Sequence, residues 1–297
     1  MIAFLGTGLL GSGFIKALLQ KGEKVQVWNR TFEKAKELEA DGAVAFEQAA
    51  DAVKGVQRIH LCVSDDAVVD SVLQQAEAGM EKGAIIIDHS TTSKDGAVER
   101  TRNWAAKGYT YVHAPVFMGP SNALDSSGFM LISEGRELTE KLRPWLEPMT
   151  GKLLDFGVAA GGDGDAGSGG AADVTGKAAG IKLIGNLFLI SLTGAFSDML
   201  VIGKEMGIGG EEIATLFKDF NPGAGAPGRL KRIMARDYDN PSWELQMARK
   251  DARLMMEEAE KGGKSLLVIP PMIAEMDKFL EKGLAHKDWS VMVSDKF

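Results

Sequence analysis

The chain opens on a short apolar run, Ile2-Ala3-Phe4-Leu5, that passes directly into Gly6-Thr7-Gly8-Leu9-Leu10-Gly11 and then into an amphipathic stretch. G-x-G-x-x-G set between a strand and a helix is the turn of a βαβ unit. The first Gly makes the tight turn, the second lets the backbone approach a pyrophosphate, and the third lets helix and strand pack closely. The helix N-terminus that follows offers unpaired N–H groups and a partial positive charge to phosphates. Gly6, Gly8 and Gly11, with Leu9 and Leu10 between them, are therefore candidate dinucleotide-binding residues. The competing reading is a Gly-rich turn in another α/β fold; the strand before it and the helix after it favour the dinucleotide.

The first half of the chain continues in the same rhythm. Runs at 25–28, 59–63, 84–88, 111–114 and 129–133 read as strands, and helical patterns fall at 14–21, 31–40, 66–75 and 94–107. Alternation of this kind implies an α/β domain of Rossmann type, a doubly wound, mostly parallel sheet with helices on both faces. The glycine-rich stretch 157–170 reads as a surface connection or hinge, with a functional lid as the alternative. Beyond it the pattern is helical, over 171–206, 210–217, 227–235, 243–261 and 269–282, without a strand signal of comparable strength. Two domains are expected: a nucleotide-binding domain over 1–160 and an all-α substrate and dimerisation domain over 161–297.

Composition excludes several classes. The net charge of −7 argues against a nucleic-acid-binding surface. Cys62 is the only cysteine, so no intramolecular disulfide and no cysteine-based zinc site is available, and no metal is expected. With no signal-peptide pattern at the N-terminus, this suits the cytoplasm. The longest apolar stretch, 181–202, carries Lys182, Asn186 and Asp198, and reads as a buried helix instead of a membrane span. An all-α domain with apolar helices suggests a homodimer or homotetramer.

The end of the second strand separates the two nicotinamide cofactors. Sites for NAD carry an acid here, about 20 residues beyond the glycines, to hold the ribose 2′-OH. This chain has Asn29-Arg30-Thr31. Asn29 does not repel a 2′-phosphate, Arg30 can form charge-assisted bidentate bonds to one, and Thr31 adds a hydroxyl. The residues favour NADP(H) over NAD(H), the alternative being a solvated surface arginine.

Hydride transfer to a carbonyl builds negative charge on oxygen, which a nearby acid must protonate. Lys182 and Asn186 lie four residues apart in apolar sequence, on one face of a helix. A buried lysine is rare unless paired or functional, and burial brings its pKa toward working pH. Asn186 could hold Lys182 or a substrate oxygen. Against this stands a lysine that snorkels from a helix end.

On these residues the chain resembles the β-hydroxyacid dehydrogenase family, which includes 3-hydroxyisobutyrate dehydrogenases and the tartronate semialdehyde and glyoxylate/succinic semialdehyde reductases. The landmarks run in order over nearly the whole length: Gly6, Gly8 and Gly11; Asp88-His89-Ser90-Thr91, similar to a D-x-S-T segment near nicotinamide and substrate; Gly180-Ile181-Lys182 to Asn186, similar to the catalytic helix; and Lys250-Asp251-Ala252-Arg253-Leu254, similar to K-D-x-x-L. The resemblance implies Lys182 as general acid/base, Asn186, Ser90 and Thr91 as substrate contacts, and cofactor contacts from Cys62, Val63, Ser64, Thr91 and Lys250. Read by itself, Lys250 lies mid-helix between Met247 and Leu254 on an expected buried side, and an exposed ion pair with Asp251 is the plainer explanation.

One loop departs from the family pattern. Where that pattern has D-A-P-V-S-G-G, this chain reads His113-Ala114-Pro115-Val116-Phe117-Met118-Gly119. Phe117 and Met118 replace the serine and the first glycine, which should narrow the pocket, make it more apolar and weaken carboxylate anchoring; Ser121 and Asn122 are the available substitutes as donors. The expected activity is NADP(H)-dependent oxidation or reduction of a small carbonyl or hydroxy compound. Imine reduction on the same fold and a non-catalytic NADP-binding scaffold are the alternatives, and Lys182 argues against both.

Overall fold

The computed structural model describes residues 1–157 and 176–297. Six strands form one sheet: β1 Ile2–Leu5, β2 Val25–Trp28, β3 Val44–Phe46, β4 Arg58–Leu61, β5 Ile85–Asp88 and β6 Thr110–His113. Their order is β3-β2-β1-β4-β5-β6, and every pairing is parallel. The helices between and after them are α1 Leu9–Gln20, α2 Phe32–Lys36, α3 Ala49–Ala52, α4 Asp66–Ala76 and α5 Lys94–Ala106.

Alternate residues of each strand feed opposite faces. Ile2 and Phe4 pack with Phe14 and Ile15 of α1, while Ala3 and Leu5 pack with Val69 and Leu73 of α4. Strands buried on both faces read as apolar runs, as Ile2–Leu5 and Ile85–Ile87 do; in β2 and β4 the buried Gln26, Arg58 and His60 are satisfied by hydrogen bonds. Burying each large side chain contributes about 2 kcal/mol.

A smaller sheet follows: β7 Val116–Phe117 pairs antiparallel with β8 Phe129–Ile132, which pairs parallel with β9 Lys152–Asp155. Helices α6 Pro120–Asp125 and α7 Arg136–Leu146 connect them. β3 and β9 carry no comparable sequence signal because they are only partly buried and so show no apolar run, and β7 is only two residues long.

Beyond α8 Lys177–Glu205 come α9 Gly210–Leu216, α10 Ala226–Met234, α11 Leu245–Lys261 and α12 Ile269–Glu281. Among the described residues this part has no strand. Contacts group residues Met1–Asn186 as one unit and Leu187–Phe297 as another. The expected 160/161 boundary, the glycine-rich stretch beyond Gly157 and the first residues of the helix expected over 171–206 lie outside the described residues. In the second unit, buried Asp198 accepts hydrogen bonds from the N–H groups of Leu267 and Val268, at 2.7 and 2.9 Å, just before α12.

Two expectations about burial are corrected. α8 is 29 residues long and apolar enough to cross a membrane by length and composition. It is not a buried helix: Ile184, Leu187, Phe188 and Ile190 are exposed, Ile190 by 73%. On α11 the buried side carries Leu245, Ala248 and Ala252, whereas Met247 and Leu254 are exposed. Small alanines permit the close packing of α11, and the larger side chains turn outward.

Candidate active site

The strand order reverses between β1 and β4, and ligands of open parallel sheets sit outside the carboxyl ends of strands at such a point. The glycine turn leaves β1 there. Gly6 adopts φ +99°, and a Cβ on it would stand 2.4 Å from the Cys62 carbonyl oxygen. A Cβ on Gly11 would stand 2.2 Å from the Gly6 oxygen. Both positions therefore require glycine, the first for conformation and contact, the third for helix-to-turn packing. A Cβ on Gly8 would meet no protein atom within 4 Å, so the second glycine faces open space where a phosphate can approach the backbone.

A cavity of about 690 Å³ opens over this turn, within the size range of ligand sites. Gly6, Gly8, Leu9, Leu10 and Gly11 bound it, with Asn29, Arg30 and Thr31 after β2 and Cys62, Val63 and Ser64 after β4. Ser90 and Thr91 after β5 join them, as do Met118 and Lys182. The fold thus brings together most of the residues singled out in the sequence. Arg30 is exposed and makes no hydrogen bond or ion pair among the described residues, which leaves its guanidinium donors available. Lys34, Ser71 and Gln75 also line the cavity and were missed. Lys34 had a signal, a second cation on the short helix that follows Thr31.

The loop after β5 is held by a buried polar network. Asp88 accepts from the Ser90 N–H at 2.8 Å and from the Tyr111 hydroxyl at 2.6 Å, and Arg100 donates to that hydroxyl at 3.0 Å. Ser90 Oγ accepts from the Val63 N–H at 2.9 Å, tying the β4 and β5 loops together. Behind them, Arg58 Nε donates to His60 Nε2 at 2.6 Å. His60 Nδ1–H must then donate to His89 Nε2, 2.8 Å away, and His89 Nδ1–H to the Ala114 carbonyl, also 2.8 Å away. Every nitrogen is satisfied with both rings neutral. Burial holds His89 down to about 4 and His60 well below the ordinary histidine range. Burial, and then the charge of Asp88, pushes the Cys62 thiol up to about 12, so it lines the cavity as a thiol and not as a nucleophile.

Lys182 lies in the second turn of α8 and is only 9% exposed. Its Nζ donates to Asn186 Oδ1 at 3.0 Å and stands 4.2 Å from the centroid of the Phe117 ring. No carboxylate pairs with it among the described residues. Burial lowers its pKa below the ordinary lysine value. A lysine that snorkels from a helix end would be exposed, and this one is not.

Residues 1–170 match the family described as the NAD binding domain of 6-phosphogluconate dehydrogenase. Over 298 residues the chain is 26% identical to glyoxylate/succinic semialdehyde reductase 1 of Arabidopsis thaliana, covering 98% of this chain and 96% of that protein. It is 23% identical to 2-(hydroxymethyl)glutarate dehydrogenase of Eubacterium barkeri, covering 98% and 93%. The chain is an NAD(P)-dependent oxidoreductase of the β-hydroxyacid dehydrogenase family. Its fold is also that of an imine reductase from Myxococcus stipitatus in complex with NADP+, with a TM-score of 0.83 at 21% identity over 99% of this chain and 98% of that one.

Against the family pattern, the oxidoreductase shows what its unusual loop does. Gly119 N–H donates to Asn122 Oδ1 at 2.9 Å, and Asn122 Nδ2 donates to Ser127 Oγ at 3.0 Å. Asn122 is turned back onto its own loop, and neither it nor the exposed Ser121 lines the cavity, so neither replaces the lost donors. Lys250 sits on α11 of the second unit, half-exposed, with Nζ 2.7 Å from Asp251.

Proposed function

We propose that this oxidoreductase is an NADP(H)-dependent reductase of small carbonyl compounds, with Lys182 as general acid. The observation that carries the reading is a buried lysine, free of any carboxylate partner among the described residues, on the same cavity as the glycine turn. The turn suits a dinucleotide, since Gly8 leaves the backbone open and Arg30 offers an unpaired guanidinium for a 2′-phosphate beside the uncharged Asn29. When bound, the reduced dinucleotide supplies a hydride to the carbonyl carbon. The chain's own part is the proton: as the C=O electron pair moves to oxygen, Lys182 Nζ–H protonates it, and the product is the alcohol. Asn186 holds the Lys182 ammonium, and Ser90 and Thr91 line the cavity that takes the substrate. In the reverse direction the neutral amine accepts the proton. Lys250 is proposed as a cofactor contact on the family resemblance alone.

Replacing Lys182 by Ala should lower kcat by on the order of 100-fold or more, while NADPH affinity, read by fluorescence titration, stays within a factor of two or so. Activity within about a factor of two of wild type would sink the assignment. The apolar Phe117 and Met118 favour imine reduction as the second reading; turnover of a cyclic imine faster than any aldehyde would establish it.

Two further expectations complete the proposal. A second copy of the chain covers the apolar side chains of α8, giving a homodimer or a homotetramer. Lys182, Asn186 and Asp198 along that helix suit protein cover better than lipid. The compartment is the cytoplasm, where a lone thiol such as Cys62 stays reduced.

A further inference from the structure

Phe117 ends β7, where it pairs with Phe129 of β8. Its ring lies along the second and third turns of α8. One face covers Lys182 Nζ at 4.2 Å from the ring centroid. Its edge abuts Gly185, where a Cβ would stand 2.2 Å from Phe117 Cζ. One turn of helix therefore presents a glycine that admits the ring and a lysine that lies over it. The attraction between an ammonium and a ring face holds the pair together where water is scarce.

The ring also limits what Lys182 can bind. An ammonium has three N–H donors. One goes to Asn186 Oδ1 at 3.0 Å, and the ring covers another side. A substrate that reaches the remaining donor presents a single acceptor atom to it and lays its flank against Met118 of the cavity wall and the neighbouring Phe117 ring that covers Lys182. A carboxylate on that flank would lose its water. It would gain little from the loop in return, because Gly119 N–H is already bonded at 2.9 Å and Asn122, which donates to Ser127 Oγ at 3.0 Å, does not line the cavity.

We propose that Phe117, with Gly185 admitting its ring, determines specificity: the site selects carbonyl substrates whose flank beside Lys182 is apolar and uncharged, and disfavours those that carry a carboxylate there. The proposal rests on the reading of Lys182 as general acid. Its test compares succinic semialdehyde with 4-methylpentanal, in which an isopropyl group replaces the carboxylate at nearly the same shape. The quantity read is the ratio of the two kcat/KM values with NADPH, in wild type, Phe117→Ser and Phe117→Leu. Wild type should favour 4-methylpentanal by at least about 10-fold. Phe117→Ser should move the ratio toward the semialdehyde by at least about 10-fold, mainly through its KM, and Phe117→Leu should keep the wild-type preference. Partial unfolding of a variant lowers both rates alike and leaves the ratio in place. A wild-type preference for the semialdehyde, or a ratio unmoved in Phe117→Ser, overturns the proposal. If the semialdehyde is preferred and Lys182→Ala abolishes its reduction, the specificity falls and the general acid stands. If Lys182→Ala reduces either aldehyde at the wild-type rate, or wild type reduces neither, the general-acid reading falls and the proposal with it.

Discussion

The side-chain oxygen of Asn29 accepts a hydrogen bond from the backbone N–H of Thr7 at 3.1 Å, and its amide donates to the Thr31 carbonyl at 2.9 Å. One neutral side chain thus clamps the end of β2 to the glycine turn and shapes the segment that carries Arg30. An aspartate could keep the first bond, but it would lose the second and place a negative charge beside Arg30, where a 2′-phosphate is proposed to bind.

Cofactor choice follows from that clamp. Arg30→Ala should raise the KM for NADPH by about 10-fold or more, the scale of a lost charge-assisted hydrogen bond, and leave the KM for NADH nearly unchanged. Asn29→Asp should shift preference toward NADH. Steady-state kinetics with both cofactors checks each outcome, and an equal loss for both cofactors in Arg30→Ala would remove Arg30 from phosphate recognition.

The direction of the Lys182 shift sets a pH profile. Burial disfavours the ammonium and lowers the pKa, and only the ammonium can donate a proton in reduction. The kcat for carbonyl reduction should therefore fall as pH rises through the lowered pKa, at a point below that of an ordinary lysine. Alcohol oxidation, which needs the free amine, should rise over the same range. Normalised to their maxima, the two profiles should cross near that lowered pKa, and a flat reduction profile between pH 7 and about 10 contradicts the assignment.

The buried histidines predict acid sensitivity. His89 is held down to about 4 in the fold, against an ordinary value of 6.5. The unfolded chain takes up a proton on this ring as pH falls below 6.5, while the folded chain does not. Stability is therefore full above that point and is lost progressively down to about 4, by about 3 kcal/mol for this ring. Denaturant unfolding at pH 7 and near pH 4 measures the drop. His60→Gln can still accept from Arg58 and donate toward His89, but it removes one of the three buried histidines, His60, His89 and His113, that are held below the ordinary histidine range, so its drop should be smaller than that of wild type.

The exposed apolar residues of α8 predict an assembly. Ile190 is 73% exposed and Phe188 57%, and covering such side chains contributes about 2 kcal/mol each. Wild type should elute as a dimer or larger species in size-exclusion chromatography with light scattering, and Ile190→Asp should shift it toward monomer. A monomeric wild type at micromolar concentration would refute the assembly.

Much of the site was legible before any coordinates, because its signals are local. The glycine turn announces itself through conformations that only glycine tolerates at Gly6 and close packing that only glycine permits at Gly11. The strands that carry the cavity loops are buried on both faces and so are rich in apolar residues, broken only by Gln26 in β2, Arg58 and His60 in β4 and Asp88 at the end of β5, and Lys182 and Asn186 share a face because helical spacing puts them there. What the sequence could not contain is contact between residues distant along the chain. Only the folded chain placed the Phe117 ring under Lys182 and against Gly185, turned Asn122 back onto its own loop, and left the apolar side chains of α8 uncovered. These outcomes depend on where a two-residue strand meets a long helix, and no periodicity records that, because packing is decided by the shape of both partners at once.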